Sequence, residues 1–294
     1  MTIAMCYLSP EGVVLGADST ASINYPGGFH YFNHAQKLFR IGENGSLGIL
    51  TWGLGEIGQT SYRTLIAELA DDLEVTPAAT LQLVAERWAN LFWSRYTQAL
   101  AGEITVLHAL DAKSQFVPGG TDPAARTEAE EKLYQNLRHN LIVGFCIAGA
   151  VAPDRQTGAF EIVFDPMAIS APTPTQIVGA PFWGAPNMIQ RLVIGADQNL
   201  RAGILTSGLW SGSESDLDNL MAQYRLSHAT LPIREAIDFV HTCIYSTIKA
   251  LKFSSLQQTC GGPIEIAVIT TDRSFRWVRH KSLDAAISES ERPW

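Results

Sequence analysis

The 294-residue chain has no basic excess: 21 Lys and Arg stand against 29 Asp and Glu, for a formal net charge of −8. Nucleic-acid binding needs a positive footprint to release counterions, so nucleic acid is not an expected partner. Long apolar runs are missing too. The longest, LIVGFCIAGAVA at 141–152, is too short to cross a bilayer and reads as a buried strand or hairpin arm. The first twenty residues contain no Lys or Arg, and Ser9, Pro10 and Glu11 interrupt their apolar stretches. A secretory leader and a membrane partner are therefore not expected, and a cytoplasmic location is. Cysteine is sparse: Cys6, Cys146, Cys243 and Cys260 are scattered, with no pair at metal-ligand spacing. Reduced, buried thiols follow as the expectation. The seven histidines are equally dispersed, with no HExxH or paired pattern, so neither a metal nor a cofactor is expected. Charged blocks, heptads, repeats and a domain linker are also lacking, which suggests one domain over 1–294.

What is present is core material: 46% of residues are hydrophobic and 17% charged. TIAMCYL at 2–8 and the run to Ser19 flank a Ser9–Gly12 turn and predict an opening β-hairpin. A loop rich in Gly, Pro and Asn around 24–28 precedes AQKLFRI at 35–41, and the ENG turn at 43–45 leads into another strand, SLGILTWG. The period then changes. Ile57, Leu65, Ile66 and Leu69 predict a helix over 56–72, and VTPAATLQLVAERWANLFW a second, with Thr76 as N-cap and Pro77 at its first position. Residues 112–130 read as a polar surface loop. NLIVGFCIAGAVAPDRQTGAFEIVFDP predicts a hairpin and PTQIVGAP a further strand. Two helical stretches follow in 186–226, split near 207–213, and then a helix over 231–251 with Ile237, Val240, Ile244 and Ile248 on one face. A last hairpin, GGPIEIAVIT and SFRWVRH, closes the pattern. Strands alternating with segregated helix pairs indicate an α+β class.

Four stretches in this order resemble the proteasome-type branch of the N-terminal-nucleophile hydrolases. They are Thr2 behind Met1, GVVLGADSTAS at 12–22, KLFRI at 37–41 leading into ILTWGLG at 49–55, and CGGPIEIAVIT at 260–270. Among bacterial relatives the pattern looks most like the ancestral proteasome-like peptidases. The resemblance implies a four-layer αββα sandwich of two antiparallel sheets flanked by helix pairs. It also implies extra length near 112–130 and 196–230, and assembly into a homo-oligomeric ring or spiral. An ATPase unfoldase partner is left open.

The implied chemistry begins with Thr2. A threonine hydroxyl is a weak nucleophile and needs a neighbouring base. An α-amine, with a pKa of about 7.7–8, can be that base once methionine aminopeptidase has removed Met1. By resemblance Lys37 supplies a charge beside the hydroxyl, Asp18 holds that lysine, and the Gly53 N–H stabilises the oxyanion. Thr20 and Ser22 would line the cleft for a peptide or protein substrate. Each residue also has a plain structural reading: a turn carboxylate for Asp18, an exposed strand lysine for Lys37, a turn glycine for Gly53. The chain departs from the family where Ala180 in VGAP replaces a hydroxyl expected to assist the amine, and where Gln257 and Cys260 replace an acid and a serine. Ala180 and Gln257 keep open a catalytically silent scaffold subunit, and the acidic charge and added loops permit an enzyme of the same fold acting on a small amide or transferring an acyl group.

Overall fold

The computed structural model describes residues 2–25, 28–43, 45–185, 187–225, 230–255 and 257–281. Its strands and helices run β1 (Ile3–Ser9), β2 (Gly12–Ala17), β3 (Ala21–Tyr25), β4 (Gly28–Phe32), β5 (Leu38–Arg40), β6 (Leu47–Gly53), α1 (Tyr62–Val75), α2 (Leu81–Ala99), α3 (Ala101–Asp111), α4 (Glu128–Asn140), β7 (Val143–Gly149), β8 (Gly158–Phe164), β9 (Thr175–Gln176), β10 (Phe182–Gly184), α5 (Asn187–Ile194), α6 (Gln198–Thr206), α7 (Glu214–Ala222), α8 (Ile233–Phe253), β11 (Glu265–Thr270) and β12 (Arg273–Arg279). One antiparallel sheet has the order β10-β1-β2-β11-β12 and the other β5-β6-β7-β8-β9, while among the described residues β3 and β4 pair only with each other.

Alternation along the strands builds the layers. In β1, Ile3, Met5 and Tyr7 pack towards α5 and α8 with Ile189, Val240 and Ile244, whereas Ala4 and Cys6 face the second sheet. The sheet-to-sheet seam is made largely of small residues, among them Ala17, Cys146, Ala148, Ala159 and Ala267, around Leu15, Leu38 and Leu50. On the far side Phe145, Ile162 and Phe164 meet α1 and α2 through Leu65, Trp88, Phe92 and Tyr96. Both faces of both sheets are covered, which is why β1, β2 and β7 are buried at nearly every position rather than alternating with polar residues. The result is the expected α+β, four-layer αββα sandwich.

Several elements differ from the sequence reading. Thr76 caps the C-terminus of α1, and α2 starts four residues later than expected because Thr80 Oγ1 accepts the Leu83 N–H at 3.2 Å. Pro77 therefore lies between the helices. The stretch at 112–130 leads from α3 into α4, neither anticipated, and α4 opens with a Thr127/Glu130 capping box. Arg126, buried, donates to Leu110 O and to Glu131, so that connection is tied down. The expected loop around 24–28 carries the β3–β4 hairpin instead. The strand expected at 174–181 is only β9, although Gly179 and Pro181 carbonyls accept N–H groups of β1. Among the described residues three helices, not two, lie within 187–225; their break at 207–213 falls where expected, and residues 186 and 226–229 lie outside the described chain.

Candidate active site

Asp18 directly follows β2 and is fully buried. A carboxylate in that position must be compensated. It accepts the Ile3 N–H on Oδ1 at 3.0 Å, and the Thr20 and Gly261 N–H groups on Oδ2 at 3.2 and 2.8 Å. The Lys37 ammonium reaches Oδ1 at 2.6 Å and also donates to Thr20 O at 2.5 Å. An ammonium has three hydrogens, and the described residues accept two of them. The same Asp18 oxygen thus holds both the lysine and the backbone one residue beyond Thr2.

Thr2 is buried and pinned from the other edge of β1 as well: its carbonyl accepts the Ala185 N–H at 2.8 Å. Gly184, at φ +91°, makes this approach possible, since a Cβ there would lie 1.8 Å from Thr2 O. Strand β5 continues to Lys37 through the Thr51 N–H, which donates to Lys37 O at 2.9 Å. Gly53 lies two residues further along β6, exposed, at φ +85°, with room for no side chain beside Ile142 O. That adds about 7 Å along the strand. No hydrogen bond among the described residues joins Gly53 to Thr2, Asp18 or Lys37. Thr20 is in the cluster through its backbone, with its hydroxyl donating to Asn33 Oδ1 at 3.0 Å. Ser22 sits on β3, opposite Tyr31, and its buried hydroxyl has no partner among the described residues.

The three departures look different in three dimensions. Ala180 is not beside Thr2. It lies between Gly179 and Pro181, whose carbonyls accept the Leu8 and Cys6 N–H groups, about five strand residues or 17 Å along β1 from Thr2. The alanine next to Thr2 is Ala185, because β10 pairs Gly184 with Ile3. Gln257 donates to the Tyr31 hydroxyl at 2.6 Å, tying the β3–β4 hairpin to the loop that carries Gly261. Cys260 is fully buried, and burial, aided by the Asp18 charge, pushes its thiol up to about 12. A thiol so held is not a nucleophile near neutral pH.

Sequence reasoning missed a second buried pair. Glu265, opposite Ala17, is fully buried and receives Lys281 Nζ on Oε2 at 2.8 Å. Lys281 also donates to Ser19 Oγ and Ala35 O, at 3.0 and 2.9 Å. His280 Nδ1 lies 2.7 Å from Oε1 without the alignment of a hydrogen bond, and its ring stacks on Trp277. The available signal was the lone carboxylate inside the apolar run PIEIAVIT. A second missed group lies between the sheets: Trp52 stacks on Trp183, whose Nε1 donates to Glu161 at 2.6 Å.

Among the described residues no three His, Cys, Asp or Glu side chains cluster as metal ligands, and no helix is long and apolar enough to cross a membrane. A groove of about 790 Å³ beside α1 and β12 is lined by Arg40, Arg63, Trp277 and Lys281, but not by Thr2, Asp18 or Lys37. A second cavity, of about 530 Å³, borders Gly184 and Ala185.

No protein-family model matches the chain, and no curated protein does. Solved structures do. One of them is Anbu from Hyphomicrobium sp. strain MC1, similar at 11% identity over 98% of this chain and 94% of that one, with a TM-score of 0.48.

Proposed function

We propose that the chain is a threonine-type amide hydrolase of the proteasome-like class, acting on a peptide or protein substrate within a homo-oligomer. The observation that carries this reading is the shared Asp18 oxygen, which sets the Lys37 ammonium and the backbone after Thr2 around one buried charge. Removal of Met1 frees the Thr2 amine. Thr2 Oγ attacks the substrate carbonyl while its proton passes to that amine, directly or through one water. Lys37 lowers the cost of the forming alkoxide, and its third hydrogen is available for that oxygen. The Gly53 N–H receives the oxyanion. As the C–N bond breaks, the amine returns the proton to the leaving nitrogen, and water then cleaves the ester on Thr2.

Intact mass of the protein from its native host, with and without a β-lactone probe, tests this. The expected result is loss of Met1 and a single adduct on Thr2, absent from Thr2→Ala and slowed about 100-fold or more in Lys37→Met. An adduct that survives Thr2→Ala would overturn the assignment. A chain that keeps Met1 would be a silent subunit of the same fold.

A further inference from the structure

We infer that the cavity on the β10 side of Thr2 is the leaving-group pocket of the proposed hydrolase, and that it takes a neutral, apolar amino-acid residue on the amine side of the scissile bond. This rests on the hydrolase reading and adds a direction and a specificity to it. The sheet order β10-β1-β2 places Asp18 on one flank of β1 and Gly184 with Ala185 on the other. Thr20, Ser22 and Gly53 all belong to the Lys37 flank, so an acyl group held there sends the departing amine across Thr2 towards β10.

The cavity there, about 530 Å³, lies in the range of small-molecule sites and exceeds the volume of a single side chain. Its walls are mainly apolar, with Met188, Ala250 and Leu251, and carry the amides of Asn187, Asn199 and Gln257 as neutral polar groups. Thr247 also lines it but spends its hydroxyl on Cys243 O, at 2.8 Å, inside α8. The cation on its rim, Arg191, is already bound to the buried Asp197 carboxylate. No unspent charge thus favours an acidic or basic residue. One buried polar atom on the wall is unsatisfied: Thr259 Oγ1 has no partner among the described residues. A main-chain N–H or C=O of the departing residue would complete it. Mainly apolar walls, with neutral amides on the rim and one buried orphan hydroxyl, match a residue such as leucine linked through its amine.

Acyl transfer run in reverse tests the pocket. When an amine replaces water, its nitrogen attacks the ester carbonyl on Thr2, the ester C–O bond breaks, and the amine proton goes to Thr2 Oγ. The Met1-processed protein is given a 4-nitrophenyl acyl ester together with leucinamide or glycinamide, and the two N-acyl products are quantified by mass spectrometry. Their ratio cancels the rate at which the acyl-enzyme forms. Leucinamide is expected to be captured at least about tenfold better than glycinamide, the low end of what even one methylene contributes in an apolar pocket. Ala250→Phe and, independently, Met188→Phe fill the cavity and should bring the ratio close to one. Equal capture by the unaltered protein, or a ratio that survives in whichever filled variants fold, overturns the pocket assignment alone. Failure to detect any ester on Thr2 overturns the hydrolase reading, and the pocket assignment with it.

Discussion

Two buried lysine–carboxylate pairs flank the turn after β2, and they differ in what holds the carboxylate. Asp18 and Glu265 are both fully buried, and the side chains of Lys37 and Lys281 are 8% and 13% exposed. Asp18 takes three backbone N–H groups from three separate segments in addition to its lysine. Among the described residues Glu265 has only side-chain partners, and one of its oxygens lacks a hydrogen bond. The first pair is therefore positioned by the fold itself, while the second is closed by two residues just past β12. A backbone-fixed charge is suited to preorganised chemistry, because it cannot relax when the reaction begins. A side-chain clamp suits the joining of strands.

The largest effect that would break this comparison belongs to Asp18. Asp18→Ala should leave the Lys37 ammonium buried with only Thr20 O and orphan three N–H groups. Urea unfolding should show a loss of about 3–5 kcal/mol, and Thr2 labelling should disappear. Lys281→Met is the milder counterpart. It leaves Glu265 with the His280 contact, so the expected loss is about 1–3 kcal/mol, with labelling of Thr2 changed less than about threefold. If Lys281→Met abolished labelling in a folded protein, the two pairs would be one catalytic unit.

The smallest effect sharpens the contrast through Cys260, which immediately precedes the Gly261 N–H donor to Asp18. Its thiol pKa is raised from 9.0 to about 12, chiefly by burial. The unfolded chain therefore releases above pH 9 a proton that the folded chain keeps, so this group makes stability fall as pH rises from about 9 towards 12. At pH 8 iodoacetamide should leave Cys260 unmodified in the native protein and in Lys281→Met. In Asp18→Ala the loop loses its anchor, and Cys260 should react. Alkylation mapped by mass spectrometry distinguishes the three proteins.

The strand–helix order was legible because each buried face writes a period into the sequence, and α8 with its Ile237, Val240 and Ile244 stripe is the clearest case. The Asp18–Lys37 pair was legible through the resemblance of the stretches around it, not through spacing. Other parts were not. The β3–β4 hairpin falls in a stretch rich in Gly, Pro and Asn, whose turn signals read as a loop, and α4 buries none of its side chains fully, so its capping box was the only signal. VGAP and WGAP are near-identical to the eye, and only strand register shows that Ala185 rather than Ala180 adjoins Thr2.

By itself the sequence determined the layer composition, because two-sided burial of a strand requires a nearly continuous apolar run, and it determined which carboxylates must find partners, because a charge amid such runs cannot stay unpaired. Tertiary structure alone decided who those partners are. Lys37 and Gly261, far apart along the chain, converge on one carboxylate, and Lys281 reaches Glu265 and Ser19 only because β11 lies beside β2. Pairings between distant segments depend on sheet order and register, and a local pattern carries no record of either.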